Sequence, residues 1–426
     1  MIPIDIYSIV SSYVDNPHEI IRISNINYDI YKNRNHLVLN NYNKMNDYVL
    51  IDKIKQFNFQ FINFKEIPNI TDFYNEYPNF RILYIKNIND LKLLTTNHNK
   101  LIININENLI KDVPDNYILN YLNLRYVYIE KNLGTNNYLF TDKLKLFINH
   151  ILNNLPNDLI GLELCDDYCP EIFPNNLKHL TFGNDFNRSV NIGYLPNLTS
   201  LTLGHGFCKE ILPNTLPKTL IFLNIGDKYD ESFEVDVLPK NLKYLTLGKN
   251  FNSHIENLPE NLISLTFGKK FKQSLLYLPK NLRYLRLGDN FNKYTAKWPN
   301  KLSELYFGND FNQPINNLLD GLTRLSFGKN FGRFVSKLPD NIKNLSFGDD
   351  FNHPLPSLPK KLVKLTLGKN YNENINNILE FGLSNELKYI IIHNSLILEL
   401  INKKYHNYYV IKKDYNTNGS IMIEKI

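Results

Sequence analysis

Between residues 236 and 378, apolar and polar positions follow a twenty-residue sentence that repeats with little change. One unit reads Leu258-Pro259-x-x-Leu262-x-x-Leu265-x-Phe267-Gly268-x-x-Phe271-x-x-x-Leu275. Glycine returns at Gly248, Gly268, Gly288, Gly308, Gly328, Gly348 and Gly368, and three residues later stands Phe251, Phe271, Phe291, Phe311, Phe331, Phe351 or Tyr371. In each Leu-x-x-Leu-x-Leu segment the fourth and sixth residues point into a core and the third and fifth point out, because alternate strand side chains take opposite faces. A fixed period of this length marks units that cannot bury an apolar face alone and therefore stack on their neighbours. The pattern predicts a mainly β, leucine-rich-repeat-like solenoid with one short strand per unit. Twenty residues leave little room for a helix on the return path.

Each column has an expected physical role. The glycine after the strand should permit backbone angles closed to other residues, letting the chain turn sharply. The rings should stack as an internal column, each contributing about 1.5–3 kcal/mol through burial. Just before the ring stand Asn250, Asn290, Asn330 and Asn370, or Asp310 and Asp350, types that satisfy turn backbone through their side chains. Prolines at 239, 259, 279, 299, 339 and 359 fix an extended return.

Outside the regular array the pattern divides the chain further. Residues 1–36 read as a helical hairpin: Ile6, Ile9, Val10, Tyr13 and Val14 recur at helical spacing, Asp15-Asn16-Pro17 breaks the run, and Ile20, Ile21, Ile23, Ile26 and Ile30 follow. Residues 37–140 carry degraded units, with Phe80-x-x-Leu83-x-Ile85 and Leu124-x-x-Val127-x-Ile129 fitting the strand template and Leu101-x-Ile103 fitting it less well. Thr141 can N-cap a helical insert over 141–154. The array proper runs from 155 to 378, with Cys165 in its first glycine slot. A cap over 379–426 should contain a last strand at Leu387-x-x-Ile390-x-Ile392, a helix from Leu396 to Lys404, and strands at Tyr408–Lys412 and Ser420–Lys425.

The repeat resembles the FNIP repeat family, a short leucine-rich variant of amoebae and of the giant viruses that infect them. Phe311-Asn312-x-Pro314-Ile315 and Phe351-Asn352-x-Pro354-Leu355 carry the resemblance most closely, with local departures at Lys270, Lys272 and Leu319. The opening phrase Ile2-Pro3-x-x-Ile6-x-x-Ile9-Val10-x-x-Tyr13-Val14, followed by Ile20-Ile21-x-Ile23-x-x-Ile26, resembles the start of an F-box with Ile in place of Leu. That resemblance implies an adaptor whose Pro3, Ile6, Ile9, Val10, Tyr13, Ile20, Ile21 and Ile26 dock on the Skp-type linker of a cullin-RING ubiquitin ligase while the solenoid holds a target. The other reading of the same residues is a plain helical cap, which makes the chain a simple binding scaffold.

Composition changes this picture little. The chain has 426 residues and a formal charge of +6, with lysines scattered rather than clustered, which argues against a nucleic-acid partner. Asparagine is about one residue in six and Ala296 is the single alanine, a bias that A/T-rich codons explain without a functional Asn segment. No apolar run reaches the roughly 18–20 residues of a membrane span. Met1–Val10 lacks the basic flank of a secretory signal, so an intracellular, cytoplasmic setting is expected, the host cytoplasm for a viral chain, with the nucleus left open. Three cysteines make no disulfide framework, and Cys165 and Cys169 lack zinc-site spacing. No catalytic motif, cofactor loop or metal set is present, so a binding protein is expected rather than an enzyme. The outward columns then locate the expected target site. The fifth position is mostly Thr or Ser but is interrupted by Arg286 and Tyr306, and the third position brings Phe222, Tyr244, Tyr284, Glu304 and Arg324 beside them. Tyr244, Tyr284, Arg286, Tyr306 and Arg324 are the candidate target-binding residues, since Tyr and Arg most often carry interface energy; the competing explanation is that Tyr and Thr are good strand formers.

Overall fold

The computed structural model describes residues 155–394, 401–414 and 420–425, apart from 156, 165–166, 168, 171, 296, 356 and 402, together with the backbones of five earlier strands. The helical hairpin expected over 1–36 and the insert over 141–154 lie outside the described residues. The chain divides into two compact units, Met1–Leu177 and Lys178–Ile426.

In the first unit, β1 (Val38–Leu39) pairs in parallel with β2 (Phe61–Ile62). Strands β3 (Ile82–Ile85), β4 (Lys100–Ile105), β5 (Tyr126–Lys131) and β6 (Gly161–Glu163) form a second parallel run, with Leu83, Leu101, Val127 and Leu162 in register. These strands fall on the degraded templates around Leu83, Leu101 and Val127.

The second unit is the solenoid. Its ten successive strands are β7 (His179–Thr181), β8 (Ser200–Thr202), β9 (Phe222–Asn224), β10 (Tyr244–Thr246), β11 (Ser264–Thr266), β12 (Tyr284–Arg286), β13 (Glu304–Tyr306), β14 (Arg324–Ser326), β15 (Asn344–Ser346) and β16 (Lys364–Leu367). Each pairs in parallel with the next, and the central leucine of every strand lies beside its equivalent, as Leu265 does beside Leu285. These leucines are buried, as are the first and sixth residues of each template. Among the described residues, no return helix occurs between β7 and β16.

The ring column forms as the period requires. Phe186, Phe207, Tyr229, Phe251, Phe271, Phe291, Phe311, Phe331, Phe351 and Tyr371 stack in near-parallel planes with centroids 5.8–6.3 Å apart. That spacing is the offset arrangement aromatic pairs prefer. Where the sixth position is also Phe, a second ring lies against the first: Phe267 on Phe271 at 3.8 Å and Phe347 on Phe351 at 3.9 Å.

The glycines serve a different purpose from the one the sequence implied. Those in the column do not occupy the left-handed region; a Cβ on Gly308 would instead collide with the carbonyl oxygen of Gly288, and one on Gly328 with that of Gly308. Backbones of successive units meet here with no room for a side chain, so the column is a requirement of close approach and not of turn angle.

Asparagine proves to be a ladder as well. The residue after the ring accepts from the backbone N–H at the same place in the next unit: Asn252 Oδ1 from Lys272 at 3.0 Å, Asn292 from Asn312 at 3.0 Å, and Asn352 from Asn372 at 3.0 Å. A second rung precedes the strand, where Asn241, Asn261, Asn281 and Asn341 donate from Nδ2 to carbonyls one unit back. The residue just before the ring mainly uses its own N–H, as in Asn290 to Lys269 O at 2.9 Å, with side-chain rungs such as Asn330 to Asp310 at 3.0 Å.

The end of the ladder is closed by a change of direction. After β16, helix α1 (Asn376–Ser384) replaces the return path, and β17 (Tyr389–Ile392) adds the last parallel strand. A hairpin of β18 (Tyr409–Asp414) and β19 (Ser420–Lys425) follows, with β19 antiparallel to β17. The sequence pattern did not foresee α1, and the described end of the helix expected at 396–404 is a 3-10 turn, Lys403–Asn407. Lys425 Nζ donates to Gly382 O at 2.7 Å and to Leu383 and Asn385 O at 3.3 Å, satisfying carbonyls at the C-terminus of α1.

Two substitutions test this account of the interior. Phe291→Ala removes a fully buried ring and is expected to cost about 3–5 kcal/mol in denaturant unfolding, with amide exchange accelerated most in the adjoining units. Gly308→Ala is expected to destabilise by about 1–3 kcal/mol through overpacking; an unchanged midpoint would show that the close approach at Gly288 yields freely.

Candidate functional site

Because the first, fourth and sixth positions are buried, each strand of the ladder offers only its third and fifth residues on the open face. Over most strands these are small and half-buried: Thr202, Thr246, Ser264, Thr266, Ser326, Ser346 and Thr366. Phe222 departs from the expected exposed column; it is 8% exposed and belongs to the core.

The larger outward residues converge on β12–β14. Parallel register places Tyr284, Glu304 and Arg324 side by side in one row and Arg286, Tyr306 and Ser326 in the next. Across the diagonal, the rings of Tyr284 and Tyr306 lie 5.2 Å apart, tilted by 38°. The Tyr306 hydroxyl donates to Glu304 Oε2 at 2.9 Å, and Arg324 Nη1 approaches the same oxygen at 3.5 Å. The Arg286 guanidinium stands close enough to the Tyr284 hydroxyl to act on its ionisation. Tyr244, on β10, is separated from Tyr284 in its row by Ser264 of β11, so four of the five candidate residues form the cluster and the fifth flanks it.

Burial sets the ionisation of the two phenols. It pushes the Tyr306 hydroxyl up to about 12, with the Glu304 carboxylate adding to the rise. Burial also raises the Tyr284 hydroxyl, while Arg286 acts in the opposite direction. Both are neutral hydrogen-bonding groups at any physiological pH.

Beside the cluster, a shallow cavity of about 260 Å³ is lined by Tyr306, Arg324, Ser326, Asn344, Ser346, Lys364 and Thr366, over Leu325 and Leu345. Asn344 and Lys364 were not among the sequence candidates. They occupy the third-position row one and two units beyond Arg324, so the same column rule places them. The half-exposed Glu304–Arg324 pair contributes about 0–1 kcal/mol to folding. Among the described residues, no group of three or more His, Cys, Asp or Glu is placed to hold a metal ion, and no helix is long and apolar enough to cross a membrane. Pro3, Ile6, Ile9, Val10, Tyr13, Ile20, Ile21 and Ile26 lie outside the described residues.

This architecture is that of a leucine-rich-repeat-type solenoid, a class suited to protein–protein interaction. The family model described as FNIP Repeat matches residues 169–206, 195–228, 207–250, 229–270, 251–290 and 334–370, so FNIP repeats make up these stretches of the solenoid. The unit containing Phe311-Asn312-x-Pro314-Ile315 falls between the matched segments, yet its strand β13, Gly308 and ring keep register with their neighbours. Among solved structures, CroV588, described as a novel circular LRR protein, is 30% identical with a TM-score of 0.57, covering 73% of this chain and 50% of its own. This chain thus spans half the length of that protein. YopM from Yersinia enterocolitica WA-314 is 19% identical, with a TM-score of 0.37 and coverage of 64% and 69%. The internalin InlF from Listeria monocytogenes str. 4b F2365 is 16% identical, with a TM-score of 0.43 and coverage of 70% and 87%. No curated protein matches the chain.

The phenol environment gives a direct check. A folded-state value of about 12 for Tyr306 against about 10 in the unfolded chain means the stabilisation of the neutral form is complete below pH 10 and is lost as pH rises from 10 to 12. Glu304→Gln removes the carboxylate's share and should lower the Tyr306 midpoint towards 10 without reaching it, as read by ultraviolet difference titration against a Tyr306→Phe reference. An unmoved midpoint would mean that burial alone sets it.

Proposed function

We propose that this protein is a substrate-recognition adaptor: the open face of β10–β16 holds a protein target, and the F-box-like segment docks on the Skp-type linker of a cullin-RING ubiquitin ligase. The observation that carries the target site is the cluster of Tyr284, Arg286, Glu304, Tyr306 and Arg324 on a face whose other residues are mostly Thr and Ser. Tyr and Arg dominate the residues on which interfaces depend. A packed strand ladder holds them in place before binding, which limits the ordering cost of association. The linker contact is supported by the sequence spacing of Pro3, Ile6, Ile9, Val10 and Tyr13 with Ile20, Ile21 and Ile26, which resembles the start of an F-box. The adaptor works in the cytoplasm, that of the host for a viral chain, and its partners are proteins.

Each half has its own test. Arg286→Ala combined with Tyr306→Ala should reduce target capture from lysate by the full chain while unfolding free energy stays within about 1 kcal/mol, as for other surface changes. Capture equal to wild type returns these residues to strand propensity. Ile9→Asp with Val10→Asp should abolish co-purification of the linker protein and leave the solenoid's unfolding midpoint unchanged. Retained co-purification removes the ligase link and leaves a binding scaffold.

A further inference from the structure

The cations of the open face of the solenoid are almost unopposed by acids. The whole chain is nearly balanced, with 48 Lys and Arg against 42 Asp and Glu. From β10 to β16, however, the open face and the residue immediately before each strand carry six cations, Lys243, Arg283, Arg286, Arg324, Lys343 and Lys364, all exposed, and a single acid, Glu304. Glu304 is itself engaged by Tyr306 and Arg324. The turns beyond the strands mix both signs, with Asp289 and Asp349 interspersed among Lys269, Lys329 and Lys369. On this face and lip cations outnumber acids six to one, whereas the turns and return segments of residues 243–364 carry thirteen Lys and Arg against eight Asp and Glu.

We infer that the occupant of this face is an extended acidic segment of another protein, lying across the strands with Asp or Glu at about every third residue. The inference rests on the reading above that this is the binding face. Arg286, Arg324 and Lys364 stand on β12, β14 and β16, alternate strands of one ladder. Measured along the ladder at ~4.8 Å per strand they recur every ~10 Å, the advance of three residues of extended chain at ~3.3 Å each, with Arg286 in the row beside that of Arg324 and Lys364. Between the first two lies β13, which presents Glu304. A polypeptide can place neutral residues over Glu304 and acids on either side, whereas a nucleic acid carries a charge at every nucleotide and meets that carboxylate. Three-residue strands give a track ~10 Å across, narrower than the ~12 Å major groove of a duplex alone, but wide enough for one extended chain. The paired rings of Tyr284 and Tyr306 give the segment's side-chain stems an apolar floor.

Fluorescence anisotropy on the full chain tests the inference, with a fluorescein-labelled peptide of about ten residues, long enough to cross β10–β16 at ~3.3 Å per residue. The peptide has Glu at every third position among Ser and Gly; a Gln version and an oligothymidylate of equal length are the comparisons. The Glu peptide should bind at least tenfold more tightly than the Gln version and weaken as salt rises. Arg286→Glu with Arg324→Glu should weaken it tenfold or more, and Lys364→Gln should do so to a smaller degree. Lys297→Glu with Lys337→Glu, exposed on the return segments, should leave it unchanged. Equal binding of the Glu and Gln peptides, or binding of the oligothymidylate in place of the Glu peptide, overturns the inference. If the Arg286→Ala and Tyr306→Ala variant loses its target but charge reversal and salt do not affect capture, the face is the binding site and the acidic class is wrong. If none of these changes affects capture, the binding-face reading fails as well.

Discussion

The solenoid depends on one close approach. At the glycine column, the carbonyl oxygen of one unit occupies the space a Cβ of the next would need, so neighbouring backbones meet in only one phase. Every other ladder uses that phase: leucine beside leucine in the strands, ring over ring in the core, and asparagine to backbone one unit on. A shift by one residue would drive the outward column into the core and break all of them together. Since each unit touches mainly its neighbours, stability accumulates pairwise along the array, and the array ends only where something interrupts the phase. Helix α1 and the antiparallel strand β19 do so after β16.

Much of this was legible in the sequence because a repeat reports the same environment many times. The strand register, the buried rings from Phe251 to Tyr371 and the outward direction of Tyr284, Arg286, Tyr306 and Arg324 all follow from alternation within one unit. What escaped is what depends on the distance between units. A glycine required by turn angle and one required by backbone contact look the same in sequence, and only the collision between Gly288 and a Cβ on Gly308 separates them. Likewise, abundant asparagine reads as codon bias until Asn252, Asn292 and Asn352 are seen accepting hydrogen bonds from the following unit. Phe222 was placed outside by parity, but it is buried; α1 was missed because its apolar residues continue no earlier pattern.

The same packing decides where function can reside. Substitution at the inward positions disturbs a neighbour on either side, while the third and fifth residues of each strand can vary without altering the phase. That freedom explains how β11 can present Ser264 and Thr266 while the adjoining β12 presents Tyr284 and Arg286 in an identical backbone. It also explains why the cluster is assembled from three separate units: two outward side chains per strand are too few for a network such as Tyr306–Glu304–Arg324, which becomes possible only when register sets the rows side by side.

Area then constrains the partner. A strand presenting three residues at ~3.3 Å each with ~4.8 Å to its neighbour offers ~50 Å² of flat face, so the seven strands β10–β16 offer ~350 Å². A stable interface buries about 800 Å² on each side, more than twice that figure. A globular partner must therefore also engage the turns, where Lys and Asp are interspersed and contribute little. An extended segment instead lies within the track and draws on each strand it crosses. For the acidic segment proposed above, affinity would then rest on a few fixed groups rather than on area: the Arg286, Tyr306 and Arg324 side chains at the centre, and the lip cations Lys243, Arg283 and Lys343 on either side.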